Sequence, residues 1–140
     1  MASGTYTLVI ELERPVAIDI GALGRRELDA GWFAYSGTAF GPGGFARIDR
    51  HRAVEEGRNE TRHWHVDYLL GDAQSAISAV YRTPGIDAEC RFSNAIPGRS
   101  IEGFGASDCD CDSHLVYNTT RQDLQSALQE LHETCVREEP

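Results

Sequence analysis

The length, composition and charge of this chain restrict what it can be. Its 140 residues, 41% of them apolar, suit one domain, 1–140, with a single core that needs no covalent staple. No apolar run approaches the ~20 residues of a membrane helix, and the N-terminus lacks the pattern of a signal peptide. We therefore expect a cytoplasmic protein with no membrane partner.

The charge balance is strongly acidic. Asp and Glu number 22 against 13 basic residues, the net charge is −9, and every basic residue is Arg. A dense acidic surface without Lys is similar to that of proteins from salt-loving microbes, so we expect a haloarchaeal source. Such a charge normally argues against a nucleic-acid partner. In molar salt, however, the Debye length falls to ~3 Å, so distant acids hardly oppose a phosphate that local Arg side chains hold.

The first third of the chain reads as β-structure. Apolar residues alternate over 5–12, which predicts a half-buried strand with Tyr6 near its start. A second β segment is expected at 16–20, followed by a turn and a segment at 25–28. Another strand is predicted at 32–36, with Tyr35 near its end and Gly37 opening the next loop.

A helix is predicted after the glycine-rich stretch 37–44. Phe45, Ile48 and Arg52 recur at helical spacing on one side, and Arg47 and His51 lie one turn apart on the other. We therefore expect Arg47 and His51 to face away from the packing side of this helix.

The remaining elements complete an α/β (α+β) fold with a small mixed sheet of three to five strands flanked by helices. After an exposed connection at 54–62, Asp87 is expected to cap the second of three further helices, which places Glu89 in its first turn. A core over 4–118 and a C-terminal packing helix over 120–135 are predicted. The other predicted elements are a helix at 63–70, a strand at 77–82, a helix at 87–96, a loop at 103–113 and a strand at 114–117.

An ordered set of motifs resembles the GIY-YIG nucleases, and its details are similar to the Uri-type branch, long classed as a domain of unknown function. Any one motif alone is weak, but a chance match over so many ordered segments is improbable. The segments that carry the resemblance are Gly4-Thr-Tyr6, 20–24, Tyr35-Ser-Gly37, 46–51, 63–70, 88–90 and 103–115.

The resemblance implies a divalent-metal-dependent endonuclease that hydrolyses DNA phosphodiester bonds in repair or recombination. The catalytic residues that it implies are Tyr6, Tyr35, Arg47, His51 and Glu89. Glu89 would bind one Mg²⁺ or Mn²⁺. Whether the DNA is single-stranded, duplex or branched stays open.

Elementary chemistry explains these residue types. Phosphodiester hydrolysis needs a nucleophilic water, a cation for the phosphoryl oxygens and stabilisation of the leaving oxygen. Arg47 would bind phosphate with its planar guanidinium, and Glu89 would hold the metal. The group that accepts the proton of the water stays open between Tyr6, Tyr35 and His51. An ordinary phenol has a pKa near ~10, so a tyrosine can take this role only if its neighbours make it more acidic.

The chain also departs from the family pattern. Thr5 and Ser36 replace the usual isoleucines of the two motifs, and 13–31 forms an insertion between them. Neither Asn94 nor Asn118 matches the asparagine that many members place after the glutamate.

Glycines and imidazoles are the candidate substrate contacts. A Gly-lined surface between Gly37 and Gly44 is expected to let the nucleic-acid backbone approach closely. The full set of predicted substrate-binding residues is Gly37, Thr38, Gly44, His63, His65 and His114.

A second cluster has the composition of a structural zinc site. Cys109-x-Cys111-x-x-His114, together with Cys90, offers three thiolates and one imidazole. Buried thiols beside an Asp-rich loop are the alternative. Two rival functions follow: a nucleic-acid-binding domain that has lost turnover, and a zinc-stabilised interaction module.

Overall fold

The computed structural model describes residues 4–39, 44–60, 65–85, 89–101, 104 and 113–138. Four strands come first in this part of the chain, and helices and strands are interspersed after them. The strands are β1 Gly4–Leu12, β2 Val16–Asp19, β3 Arg25–Leu28, β4 Gly31–Ala39, β5 Ser75–Pro84, β6 Arg99–Ser100 and β7 Leu115–Asn118. The helices are α1 Ala46–Glu55, α2 His65–Leu70, α3 Glu89–Ala95 and α4 Arg121–Glu138.

A five-stranded sheet in the order β5-β1-β4-β7-β6 forms the centre of the fold. β1 pairs antiparallel with β4, and the register places Tyr6 opposite Gly37 and Leu8 opposite Tyr35. β2 and β3 form a separate antiparallel hairpin, which occupies the insertion recognised in the sequence.

One face of the sheet packs against α1, α2 and the hairpin. Because side chains alternate along a strand, Tyr6, Leu8 and Ile10 point to this face together. They join a buried cluster with Ile48 of α1 and Leu69 of α2. The predicted catalytic side chains of β1 and β4 therefore lie within the larger core.

The opposite face packs against α3 and α4. Val9 of β1 and Ala34 of β4 lie there in a smaller apolar cluster with Ile96, Leu124 and Leu128. Both faces are thus covered by helices, as in a layered α+β domain.

The predicted α+β class, with a small sheet flanked by helices, is confirmed. In the described part of the chain every strand pair is antiparallel, so the expected mixed sheet was wrong in strand direction. β4 runs on to Ala39, so Gly37 lies inside a strand rather than opening a loop. The prediction that His51 faces away from the packing side was also wrong, because its side chain is fully buried.

No helix among the described residues is both long and apolar enough to cross a membrane.

Candidate active site

A tyrosine and a histidine meet at one end of the central sheet. The Tyr6 hydroxyl lies 2.7 Å from Nε2 of His51, although 45 residues separate them in the chain. Tyr6 is 1% exposed and His51 is 0% exposed. A buried polar group needs a partner, and this bond supplies one both to the Tyr6 hydroxyl and to Nε2 of His51.

Aromatic rings surround this pair. The Tyr35 ring lies 6.5 Å from that of Tyr6 and meets the His51 ring edge-on at 6.2 Å, both between centroids. Phe104 packs edge-on against Tyr35 at 6.2 Å, and His65 packs against Phe104 at 5.7 Å. A continuous row of rings therefore runs from half-buried His65 to Tyr6.

Gly37 is required by Tyr6 rather than by a turn. A Cβ built on Gly37 would lie 2.8 Å from the Tyr6 hydroxyl oxygen and 2.9 Å from its Cζ. Real Cβ atoms do not approach other atoms so closely, and both atoms belong to a packed ring. The lack of a side chain at Gly37 therefore makes room for Tyr6. Its predicted contact with a nucleic-acid backbone stays a prediction.

Arg47 fixes the start of α1 to the end of β4. Its guanidinium donates to the Thr38 carbonyl oxygen at 2.5 Å. Gly44 begins the turn into α1 with φ +52°, and its carbonyl accepts from the Arg47 backbone N–H. The structure thus brings Gly37, Thr38 and Gly44 close to Arg47.

The imidazole of His51 is neutral at physiological pH. Burial lowers the pKa of His51 from 6.5 to about 4; Asp67 opposes that change, while Arg50 and Arg47 add to it. A neutral ring has one donor nitrogen and one acceptor nitrogen. It can therefore accept the hydrogen bond of the Tyr6 phenol at Nε2.

A partly buried ion pair lies next to His51. Arg50, the neighbour of His51 on α1, donates two hydrogen bonds to the Asp67 carboxylate of α2, at 2.9 and 3.0 Å. Asp67 is fully buried, whereas the Arg50 side chain is 23% exposed. Sequence reasoning assigned no role to either residue.

Glu89 is the first residue of α3, as predicted, and its side chain lies outside the described part. The described residues hold no group of three or more potential metal ligands. Mg²⁺ binds through one or two protein carboxylates and completes its octahedron with water and phosphate oxygens. A single carboxylate at the start of α3 fits that donor chemistry.

The three histidines predicted to contact the substrate differ in where they lie. His65 begins α2 and is half-buried, and burial lowers its pKa. His114 is buried, and its carbonyl accepts from the Ser36 backbone N–H. His63 lies outside the described residues.

The predicted zinc ligands are only partly described. Cys109 and Cys111 lie outside the described residues, Cys90 is the second residue of α3, and burial lowers the pKa of His114. The zinc site stays a prediction.

A further polar cluster, on the opposite face of the sheet, was missed. His132 of α4 lies 3.1 Å from the Thr7 hydroxyl and 2.6 Å from the Thr83 hydroxyl through its two ring nitrogens. Thr7 also bonds Ser36 at 3.0 Å. Its one member that the sequence reasoning singled out is Ser36, the unusual polar residue of the second motif.

The fold and the site define a small α+β protein with a buried Tyr–His pair beside a helix-borne arginine. The profile of the family described as Domain of unknown function DUF123 matches residues 5–137, so the chain belongs to that family. No curated protein and no solved structure matches the chain.

Proposed function

We propose that this protein is a GIY-YIG-type endonuclease of the Uri branch, which hydrolyses DNA phosphodiester bonds with one divalent metal ion. The observation that carries the proposal is the 2.7 Å contact between the Tyr6 hydroxyl and Nε2 of a neutral His51. A phenol that can pass its proton to an imidazole can accept another from water. The acidic, Lys-free composition supports a haloarchaeal source.

The proton path can be written with balanced atoms. The attacking water transfers a proton to the Tyr6 oxygen as its own oxygen bonds phosphorus and the bond between phosphorus and the leaving oxygen breaks. The leaving oxygen then takes up a proton from solvent. The Tyr6 phenol simultaneously transfers its proton to Nε2 of His51. Tyr35 packs edge-on against the imidazole and restricts its orientation, which preserves the alignment that proton transfer needs.

Arg47 supplies the positive charge in this scheme. Its guanidinium has five N–H donors, and one nitrogen is bonded to the Thr38 carbonyl. The planar fork of a guanidinium suits two oxygens of a phosphate. The backbone bond holds the guanidinium beside the pair formed by Tyr6 and His51.

Glu89 is the residue that would hold Mg²⁺ or Mn²⁺. When bound, the ion supplies Lewis-acid stabilisation of charge on the phosphate and its leaving oxygen. The start of α3 follows β5, whose last residue, Pro84, pairs with Gly4. Only a short stretch of sequence separates Glu89 from Pro84, which supports a metal ligand near the end of the sheet that carries Tyr6.

The burial of Tyr6 favours one second candidate. With 1% of its side chain exposed, Tyr6 can serve as a core anchor whose hydroxyl only satisfies His51. The protein would then be a nucleic-acid-binding domain without turnover. The two functions differ in whether the wild-type protein, which binds DNA in both cases, also cleaves it.

The test is cleavage of labelled single-stranded, duplex and flap DNA in molar KCl with Mg²⁺ or Mn²⁺. Tyr6→Phe, Arg47→Ala and Glu89→Gln should each lower the cleavage rate by about 10²-fold or more. Tyr81→Phe and Arg121→Ala are matched controls, because Tyr81 lies on the other face of the sheet and Arg121 is exposed on α4.

The outcomes separate the candidates. Wild-type cleavage that survives the two controls and is lost in the three site variants supports the nuclease. DNA binding by the wild type without cleavage of any of the three substrates, with either metal, would assign the binding domain instead.

A further inference from the structure

The Arg50–Asp67 ion pair has a position that stability alone does not explain. Asp67 is a fully buried carboxylate on a helix of only six residues, and it is held by two hydrogen bonds from Arg50. Buried ion pairs cost desolvation, and apolar side chains of similar size often stabilise a protein as well or better. Because burying Asp67 costs desolvation free energy, we looked for a role of the pair in its immediate surroundings.

That role concerns the neighbouring imidazole. Arg50 directly precedes His51 on α1, and Asp67 faces α1 from α2. The two charges act on His51 in opposite directions: the carboxylate favours the imidazolium, and the guanidinium disfavours it. Paired, they largely cancel at the ring while clamping the two helices together.

We propose that Arg50 and Asp67 are positioning residues whose paired charges balance beside the His51 imidazole, so that burial alone keeps the ring neutral and able to accept from the Tyr6 hydroxyl. Neither residue needs to touch the substrate. Their catalytic consequence rests on the proposed nuclease function. Their effect on His51 itself does not depend on it.

The groups that face His51 come from every element packed around it. Tyr6 reaches it from β1 and Tyr35 from β4, both as phenols. Asp67 reaches it from α2, and Arg50 and Arg47 act from its own helix. Of these groups, Arg50 and Asp67 are paired with each other by two hydrogen bonds. Replacing either residue therefore leaves the charge of the other near the His51 ring.

Separating the pair should move the titration of His51 in opposite directions. Arg50→Gln leaves the Asp67 carboxylate without its guanidinium, which raises the pKa of His51 from about 4 towards the range of a free histidine. Asp67→Asn leaves the guanidinium, which keeps that pKa at or below its wild-type value. The double variant removes both charges and should return it close to wild type.

The experiment is an NMR titration of the full chain with ¹⁵N-labelled histidine, in molar KCl, with His51 assigned by the His51→Gln variant. The expected midpoint rises by about one pH unit or more, a tenfold change in proton affinity, in Arg50→Gln. Arg58→Gln is the matched control. Arg58 forms an exposed ion pair with Glu56, a few residues after His51 in the chain. It should leave the His51 titration unchanged.

A purely structural pair would behave differently. Both single variants would then shift His51 in the same direction, or leave it unmoved while the fold is retained, and either result would overturn the proposal. If Asp67→Asn fails to fold, Arg50→Lys provides the second test. It keeps the positive charge but replaces the forked guanidinium by a single ammonium group. It should keep the midpoint near wild type where Arg50→Gln raises it.

Catalysis gives an independent readout. In Arg50→Gln the acid limb of the kcat/KM profile should move to higher pH together with the NMR midpoint, because an imidazolium cannot accept the phenol proton. Absence of wild-type cleavage would count against the nuclease alone, since the titration still tests the positioning role.

Discussion

At the scale of single residues, the Tyr6 ring occupies the space that a side chain at Gly37 would need. A methyl group at Gly37 would lie within 2.9 Å of two Tyr6 atoms, so Gly37→Ala should push the Tyr6 ring off His51. We expect a loss of about 1–3 kcal/mol in the free energy of unfolding, as for other overpacked cores. Urea denaturation measures this loss.

The same clash predicts non-additivity. Tyr6→Phe removes the hydroxyl oxygen, the atom nearest to the added methyl group, so Gly37→Ala should cost less in that background. A double-mutant cycle reports the difference directly. Equal costs in both backgrounds would show that the methyl group is accommodated without displacing Tyr6.

The proximity of Tyr6, Tyr35 and His51 was foreseen from the order of motifs, through family resemblance. The burial of His51 was not, because helical periodicity grouped Phe45, Ile48 and Arg52 as the packing side. In the structure the buried residues of α1 are Ile48, His51 and Val54. A histidine enters that row because Tyr6, distant in sequence, satisfies its Nε2.

At the scale of elements, His132 joins α4 to the sheet. Its ring nitrogens bond Thr7 of β1 and Thr83 of β5, and all three side chains are buried. Replacing His132 by Leu leaves the Thr83 hydroxyl without this partner. We expect a cost of about 1–3 kcal/mol in urea denaturation.

A second substitution should recover part of that cost. In His132→Leu/Thr83→Val both polar partners become apolar groups of similar shape, which is often nearly neutral for stability. Ser126→Ala, exposed on the same helix, is the control and should change little. A double variant less stable than His132→Leu would mean that Thr83 has a second, more important partner.

Strand alternation and helix signals located most elements, but not the contacts between them. β1 and α4 were found nearly as predicted, because each has a regular apolar face. The two-residue β6 was missed because it is too short to show a pattern. The Arg50–Asp67 pair was missed because no local spacing indicates which helix will supply a distant partner.

At the scale of the whole molecule, buried histidines should make the fold sensitive to acid, above all His51 and His132, whose pKa values are lowered most. Burial lowers the pKa of both His51 and His132 from 6.5 to about 4. Above about pH 6.5 both rings are neutral, folded or unfolded, so they add no pH dependence. Between pH 6.5 and 4 the unfolded chain binds more protons, so stability falls as the pH falls.

The size of this effect can be checked with a variant. By pH 5.5 each histidine should remove about 1 kcal/mol from the free energy of unfolding, after allowance for screening. Urea midpoints at pH 7.5 and 5.5 measure the loss. His132→Leu/Thr83→Val removes His132 and keeps the other histidines, so its loss over this range should be about 1 kcal/mol smaller than that of the wild type.

The net charge of −9 leads to a prediction about salt. Repulsion among surface carboxylates favours the expanded chain, and the Debye length falls from ~10 Å at 0.1 M salt to ~3 Å at 1 M. Thermal denaturation should therefore show a Tm that rises with KCl over this range. KCl is preferred to sulfate, because sulfate also strengthens apolar burial.

Charge variants distinguish this cause from a general effect of salt on the apolar core. Replacing the exposed acids Glu27, Glu60 and Glu130 by Gln changes the net charge by +3, from −9 to −6, and should flatten the rise in Tm. Arg121→Gln changes it by −1, to −10, and should steepen the rise. Because these substitutions lie on the surface, they leave the buried area nearly unchanged. Equal salt dependence in all three proteins would assign the stabilisation to the core rather than to the acidic surface.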